Sequence, residues 1–177
     1  QTYDGLKKTV SITADVIGGK APQIAKQYNA ELDANIRLVS ERTKAIPAAQ
    51  KPLVLHLSDG KNLRKIDGGR SIVGDWIRIA GGRAALPDTA NLVEVPMEEI
   101  VKANPDIIII GGRNAAEAIA KIRKDPAWQS IKAVKNKRLH ANPGGTFGWD
   151  RYSAEGALQV LWAGKLLHPA RFNDVDI

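Results

Sequence analysis

The sequence predicts an α/β fold, a Rossmann-like, mainly parallel sheet with helices on both faces, preceded by one long helix. Three observations carry this. Ile107-Ile108-Ile109-Ile110 is a run of four β-branched residues with no polar alternation, the pattern of a strand buried on both faces. From residue 53 onward, strand-length apolar runs alternate with helical patterns. Gly111-Gly112 follows the isoleucine run directly, so the chain must turn closely past something at the carboxyl edge of the sheet, where open α/β sheets hold ligands.

Residues 1–50 form a helical segment. Tyr3, Leu6, Val10, Ala14 and Ile17 recur at helical spacing and stop at Gly18-Gly19. Pro22 opens a second helix, because proline suits the first helical turn. Ile24, Tyr28, Leu32, Ile36, Val39 and Ile46 form its apolar stripe, with Glu31, Asp33, Arg37, Glu41 and Lys44 mostly off it. A helix over 22–46 is roughly 37 Å long, more than a compact α/β layer needs, and reads as a spine.

Residues 51–177 then form one α/β lobe. Leu53 to Leu57 is a strand, followed by a polar, basic loop from Lys61 to Arg70 and a helix from Ser71 to Ala80. A short strand near Leu92 to Val95 leads into a helix at Pro96 and then the isoleucine strand. A helix over about Ala115 to Arg123 ends at the turn Asp125-Pro126-Ala127-Trp128. Arg138 to Ala141 is the last strand, and the loop from Asn142 to Trp149 precedes a final amphipathic helix over about Asp150 to Leu167.

Composition narrows the function. With 44% hydrophobic and 25% charged residues the chain is globular rather than disordered. Its net charge is +7, yet lysines and arginines are spread along the chain without the basic run expected of a nucleic-acid surface. A basic surface facing an anionic ligand or an acidic partner fits better. The absence of cysteine removes disulfides, thiolate metal sites and cysteine nucleophiles, and suits an exported protein. No apolar run approaches the ~18 residues of a membrane span, and no signal peptide is visible. The chain begins with Gln1 rather than Met, so an upstream segment is expected to have been removed.

Three loops are expected to gather at the carboxyl edge: residues 59–70 with Arg64, Lys65 and Arg70; Gly111 to Asn114 with Arg113; and Pro143 to Arg151 with Phe147 and Trp149. Arginine forks and aromatic faces suit a sizeable anionic ligand better than bond-making chemistry. Gly111-Gly112-Arg113-Asn114 lacks the G-x-G-x-x-G spacing of a dinucleotide site, and there is no P-loop. His56, His140 and His168 show no ligand spacing and read as structural histidines; Met97 reads as core filler. No G-x-S-x-G is present, and Asp59 and Asp67 beside a basic loop read as a salt-bridged turn rather than a catalytic pair. The pattern is that of a binder, with no catalytic residue, metal ligand or resident cofactor. Glu98 and Glu99 sit in a first helical turn, where acidic residues complement the dipole by about 0.3–1 kcal/mol each.

Val95-Pro96-Met97-Glu98-Glu99-Ile100-Val101, then Asn104-Pro105-Asp106-Ile107-Ile108, resembles the "V-S-x-E-x-L-L … N-P-D-V-I" signature of class III solute-binding proteins. These are the periplasmic receptors of ABC importers for ferric siderophores, haem, cobalamin and some metal oxyanions. Asp125 to Trp128 with Ala133 to Leu139 resembles that family's "W-x-x-L-x-A-V-K-N-G-R-V-Y", and Leu161 to Pro169 with Phe172 resembles its "A-K-x-L-H-P-x-x-F" tail. Gly81-Gly82-Arg83-Ala84 departs from a common G-G-x-N.

The resemblance implies two lobes joined by a long helix with ligand between them. Residues 22–46 would be that connector, residues 51–177 the C-terminal lobe, and the N-terminal lobe would be absent. It implies periplasmic location, or a cell-surface lipoprotein, and an inner-membrane permease as partner. Glu98 would dock on permease arginines, with Glu99 ranked second. Phe147, Trp149 and Arg151 would face ligand, and Arg64, Lys65, Arg70, Arg113, Asn114 and Arg151 would favour an anionic one: a siderophore-type iron chelate first, otherwise haem, cobalamin or a metal oxyanion. The alternative is a tetrapyrrole metal-chelatase-like enzyme. It requires a histidine paired with a carboxylate at the cleft, and neither His56 nor His140 has an evident partner in sequence. A free-standing domain binding an acidic protein is a third possibility.

Overall fold

A computed structural model describes residues 2–177, so the expectation attached to Gln1 lies outside the described residues. Two helices lead. Helix α1 (Tyr3–Ile17) is capped by Thr2, whose hydroxyl accepts from the Gly5 N–H, and it ends at Gly18. Helix α2 (Ala21–Thr43) runs 23 residues, with Pro22 in its first turn. It stops three residues short of the expected Ile46. Pro47 disfavours helical backbone at Ile46, and Thr43 turns its hydroxyl onto the carbonyls of Val39 and Ile79.

The α/β lobe begins with β1 (Leu53–Leu57). It continues with β2 (Lys65–Ile66), α3 (Ile72–Ile79), β3 (Arg83–Ala84), β4 (Val93–Glu94) and α4 (Met97–Ala103). Then come β5 (Ile107–Ile110), α5 (Ala115–Lys124), α6 (Lys132–Lys135), β6 (Leu139–Ala141) and α7 (Gly156–Leu167). The sheet order is β4-β2-β1-β5-β6, with β3 also on β1. Strands β3, β1, β5 and β6 are parallel; β2 is reversed and pairs antiparallel with both β1 and β4. The sheet is mainly parallel, as the isoleucine run predicts.

All four isoleucines of β5 are fully buried. Ile107 and Ile109 join Val54 against α1, α2, α3 and α7, where Leu32, Val39, Trp76, Val160 and Phe172 complete one core. Ile108 and Ile110 join Leu55 and Leu57 against α4, α5 and α6, with Ile100, Ile122 and Trp128. Each face therefore takes two isoleucines, each contributing about 1.5–3 kcal/mol of burial. Met97 is a partly buried member of the second core.

Three expectations need correction. The loop from Lys61 to Arg70 contains β2, because the end of β1 offers free backbone groups: Ser58 donates to Lys65 and Asp67 to His56. Strand β3 forms just after Gly81-Gly82, where the Arg83 and Ala85 N–H groups donate to Pro52 and Val54. Helix α7 begins at Gly156, not near Asp150, because Asp150 is drawn into the protein beneath the sheet edge and residues 150–155 bond to neighbouring loops instead.

Helix α2 packs on α7 through Leu32 and Val39, and the Asn35 amide donates to the Ala157 carbonyl. The far end of the α1–α2 pair is different. Ile12, Val16, Ile17 and Ile24 are exposed there, Val16 by 83%. Beside them an open apolar groove of about 450 Å³ runs between the two helices, bordered by Leu6, Val10, Ala14, Ile24 and Tyr28.

Candidate functional site

The carboxyl ends of β5 and β6 lead into the second and third predicted loops, which border one cleft of about 470 Å³. Arg113 and Ala116 form one wall; residues 141–148 form the other. A second, adjoining cleft is bordered by Asp59, Gly60, Lys61, Arg113 and Asn114. Arg113 thus stands between the two. It is exposed and enters none of the ion pairs among the described residues. Phe147 is 59% exposed on the rim of the larger cleft.

Beneath this edge lies a buried cluster of four charges. His56, on β1, has no side-chain exposure; its Nδ1 lies 3.0 Å from Asp67 and its Nε2 3.1 Å from Asp150. The first contact is a hydrogen bond, the second an ion contact outside hydrogen-bond alignment. Arg151 closes the group, with a guanidinium nitrogen 2.9 Å from Asp67 and 3.0 Å from the Ser58 carbonyl it donates to. It also donates to Asn91, while the second Asp67 oxygen accepts from the Leu92 N–H. Trp76 stands edge-on to the imidazole.

The electrostatics are self-compensating. Burial alone would lower the His56 pKa, but Asp150 and Asp67 outweigh it and hold the imidazole protonated above its usual range. Burial would raise Asp67, yet His56 and Arg151 together hold it well below the ordinary carboxylate value. Asp150 is likewise lowered against its burial, chiefly by His56. Two cations and two anions leave no net charge. Gly111 is required here: a Cβ would come within 2.6 Å of an Asp150 oxygen. The turn that the sequence placed close to something is close to this carboxylate.

This cluster holds the sheet edge together. It ties β1, β2, the segment at Asn91-Leu92 and the loop at Asp150-Arg151 into one edge. The expectation that His56 lacks a carboxylate partner is corrected: it has two. They enclose it, however, and do not face the cleft. His140 is half-buried on β6, its pKa lowered by burial and by Arg138. Asp59 accepts from the N–H groups of Lys61 and Asn62 and stands apart from Asp67. Among the described residues no group of His, Cys, Asp or Glu is arranged to hold a metal ion.

The structure does not bring all the predicted site residues together. Arg113, Asn114 and Phe147 reach the two adjoining clefts. Arg64 pairs with Glu94 at 2.5 Å and borders a separate hollow beside Met97 and Trp128. Lys65 lies in β2 opposite Glu94. Arg70 is exposed 3.9 Å from Asp88. Trp149 is half-buried, and its N–H donates to Pro143. Arg151 turns inward to Asp67. Glu98 and Glu99 are both exposed on the first turn of α4.

Glu155 was not singled out by sequence reasoning. It precedes α7 without capping that helix; its carboxylate instead accepts from the backbone N–H groups of Gly145, Thr146 and Phe147 at 3.0–3.2 Å. The signal was the glycine-rich Pro143-Gly144-Gly145-Thr146 turn with an acidic residue ten positions on, too loose a pattern to find alone.

The periplasmic binding protein family's sequence profile matches residues 2–143. The chain belongs to that family. It is 27% identical over 176 residues to a molybdate-binding protein, MolA, of Haemophilus influenzae, covering 98% of this chain and 48% of that protein. It is 25% identical over 142 residues to a haem uptake protein, IsdE, of Staphylococcus aureus, covering 77% of this chain and 47% of that one. Among solved structures, a periplasmic solute-binding protein of Veillonella parvula superposes with a TM-score of 0.77 at 27% identity, over 96% of this chain and 51% of the other. The chain spans about half the length of the relatives it matches. No helix among the described residues is long and apolar enough to cross a membrane.

Proposed function

We propose that this chain is the C-terminal lobe, with its connecting helix, of a solute-binding protein that delivers an anionic metal compound to an ABC importer. The observation that carries the ligand class is Arg113, an exposed guanidinium without an ion pair among the described residues, set between two clefts at the carboxyl edge of the sheet. A guanidinium is suited to bidentate contact with carboxylate or oxyanion groups. Phe147 on the same rim supplies an apolar face. The relatives named for molybdate and for haem share this need to hold an anionic metal compound, and a siderophore-type iron chelate or a cobalamin belongs to the same set.

In this reading α2 is the connector, and an N-terminal lobe sits on the apolar end of the α1–α2 pair, which exposes Ile12, Val16, Ile17 and Ile24. Half-length matching to the relatives supports a second lobe. Glu98, with Glu99 beside it, is the permease contact, and the protein works in the periplasm or as a lipoprotein at the cell surface. Calorimetric titration of the two-lobed protein with molybdate, haem and a ferric chelate tests the reading: saturable binding of one of them is expected, and binding of none contradicts it.

A further inference from the structure

We infer that the backbone N–H groups of Gly145, Thr146 and Phe147 are an anion-recognition site that Glu155 occupies when no ligand is bound. The inference rests on the receptor reading above and adds to it which groups grip the ligand's anionic part and what must leave first.

Three successive N–H donors converge on one carboxylate, a concave arrangement of backbone donors that selects oxyanions. The carboxylate is held below its usual pKa, chiefly by the Thr146 and Phe147 N–H groups, so these donors recognise it as an anion. A Cβ on Gly145 would lie 2.4 Å from a Glu155 oxygen, so a side chain there would push the carboxylate off these donors. The loop is also held by the Gly144–Gly148 bridge, and the Gly145 N–H is shared between the Phe147 carbonyl and Glu155. Residues 144–148 also form a wall of the cleft that Arg113 borders.

A carboxylate, or one face of a tetrahedral oxyanion, presents the same acceptor oxygens as Glu155. A ligand carrying either can therefore take over these donors while its remaining charge meets Arg113. Glu155 is partly exposed, so its carboxylate has solvent to move into when a ligand takes over these three donors. The internal carboxylate then acts as a competing ligand that keeps the site from filling with weak anions.

The test compares this chain with Glu155→Gln, using inorganic sulfate and molybdate as probes and the amide resonances of residues 145–147 as the readout. Removing the competing charge is expected to tighten probe binding about tenfold, one charge-assisted hydrogen bond's worth of competition. The Gly145, Thr146 and Phe147 amides should shift on titration, and Arg113→Gln should weaken binding in both backgrounds. Equal or weaker binding by Glu155→Gln, or probe-induced shifts that bypass these amides, overturns the inference. Unperturbed resonances of the variant outside this loop establish that it is folded. Failure here leaves the receptor reading standing wherever the two-lobed protein still binds a metal compound with an affinity indifferent to Glu155→Gln.

Discussion

Asp67→Asn should destabilise the protein more than any surface substitution, for a reason visible in the buried cluster. The replacement is isosteric and keeps an oxygen for the Leu92 N–H, but its amide nitrogen then stands where an oxygen faced His56 and Arg151, so it removes one charge and that acceptor together. What it leaves is His56 and Arg151, two cations, facing Asp150 alone in a site where the Asp67 side chain has no solvent exposure. Breaking one member of a buried ion cluster costs about 3–5 kcal/mol, because the remaining charge is uncompensated. With a urea slope of about 1–3 kcal/mol/M, the unfolding midpoint should fall by about 1–5 M at neutral pH. Asp59→Asn, on a nearby turn and in none of the ion pairs among the described residues, is the control and should change stability by about 0.5 kcal/mol or less, since Asn keeps the oxygen that accepts from Lys61 and Asn62. A loss below about 1 kcal/mol for Asp67→Asn would refute the claim that this cluster depends on charge balance.

Further outcomes follow from the same cluster and from α4. His56 has a raised folded pKa, so its contribution is complete below its usual value of 6.5 and is lost as pH rises through the higher folded value. Asp67 and Asp150 have lowered values, so theirs are present above the usual 3.8 and are lost as pH falls through the folded ones. Urea midpoints measured across pH should therefore decline on both the acid and the alkaline side, with the alkaline decline absent in His56→Gln; a flat profile contradicts this. Glu98→Arg in the two-lobed protein should impair uptake into cells while leaving ligand affinity unchanged, and normal uptake would remove the docking role.

Much of the fold is legible in the sequence where a period or a run defines the element. The isoleucines of β5 announce burial on both faces, and the apolar stripe of α2 announces a long helix, though Pro47 brings its end forward to Thr43. Strands β2 and β3 have two residues each, too few for any period; they exist because β1 offers them partners. The site is less legible for a related reason. Arg151 looks like a ligand contact in sequence, and the direction of its guanidinium is decided by Asp67, which only the closed sheet brings near. His56 reads in sequence as lacking a partner, because its two carboxylates come from different loops. Gly111 is the exception: its demand for close approach is local, and only the identity of the approaching group, Asp150, required the structure.

The central claim is that Arg113 and the cleft beside it hold an anionic metal compound between two lobes. Its most direct test is calorimetry on the protein expressed with the N-terminal lobe, comparing native sequence with Arg113→Glu against molybdate, haem and a ferric chelate. The account predicts saturable one-site binding of at least one compound, with affinity for it greatly weakened by Arg113→Glu. Binding of none by a folded two-lobed protein, or binding indifferent to Arg113→Glu, would contradict it.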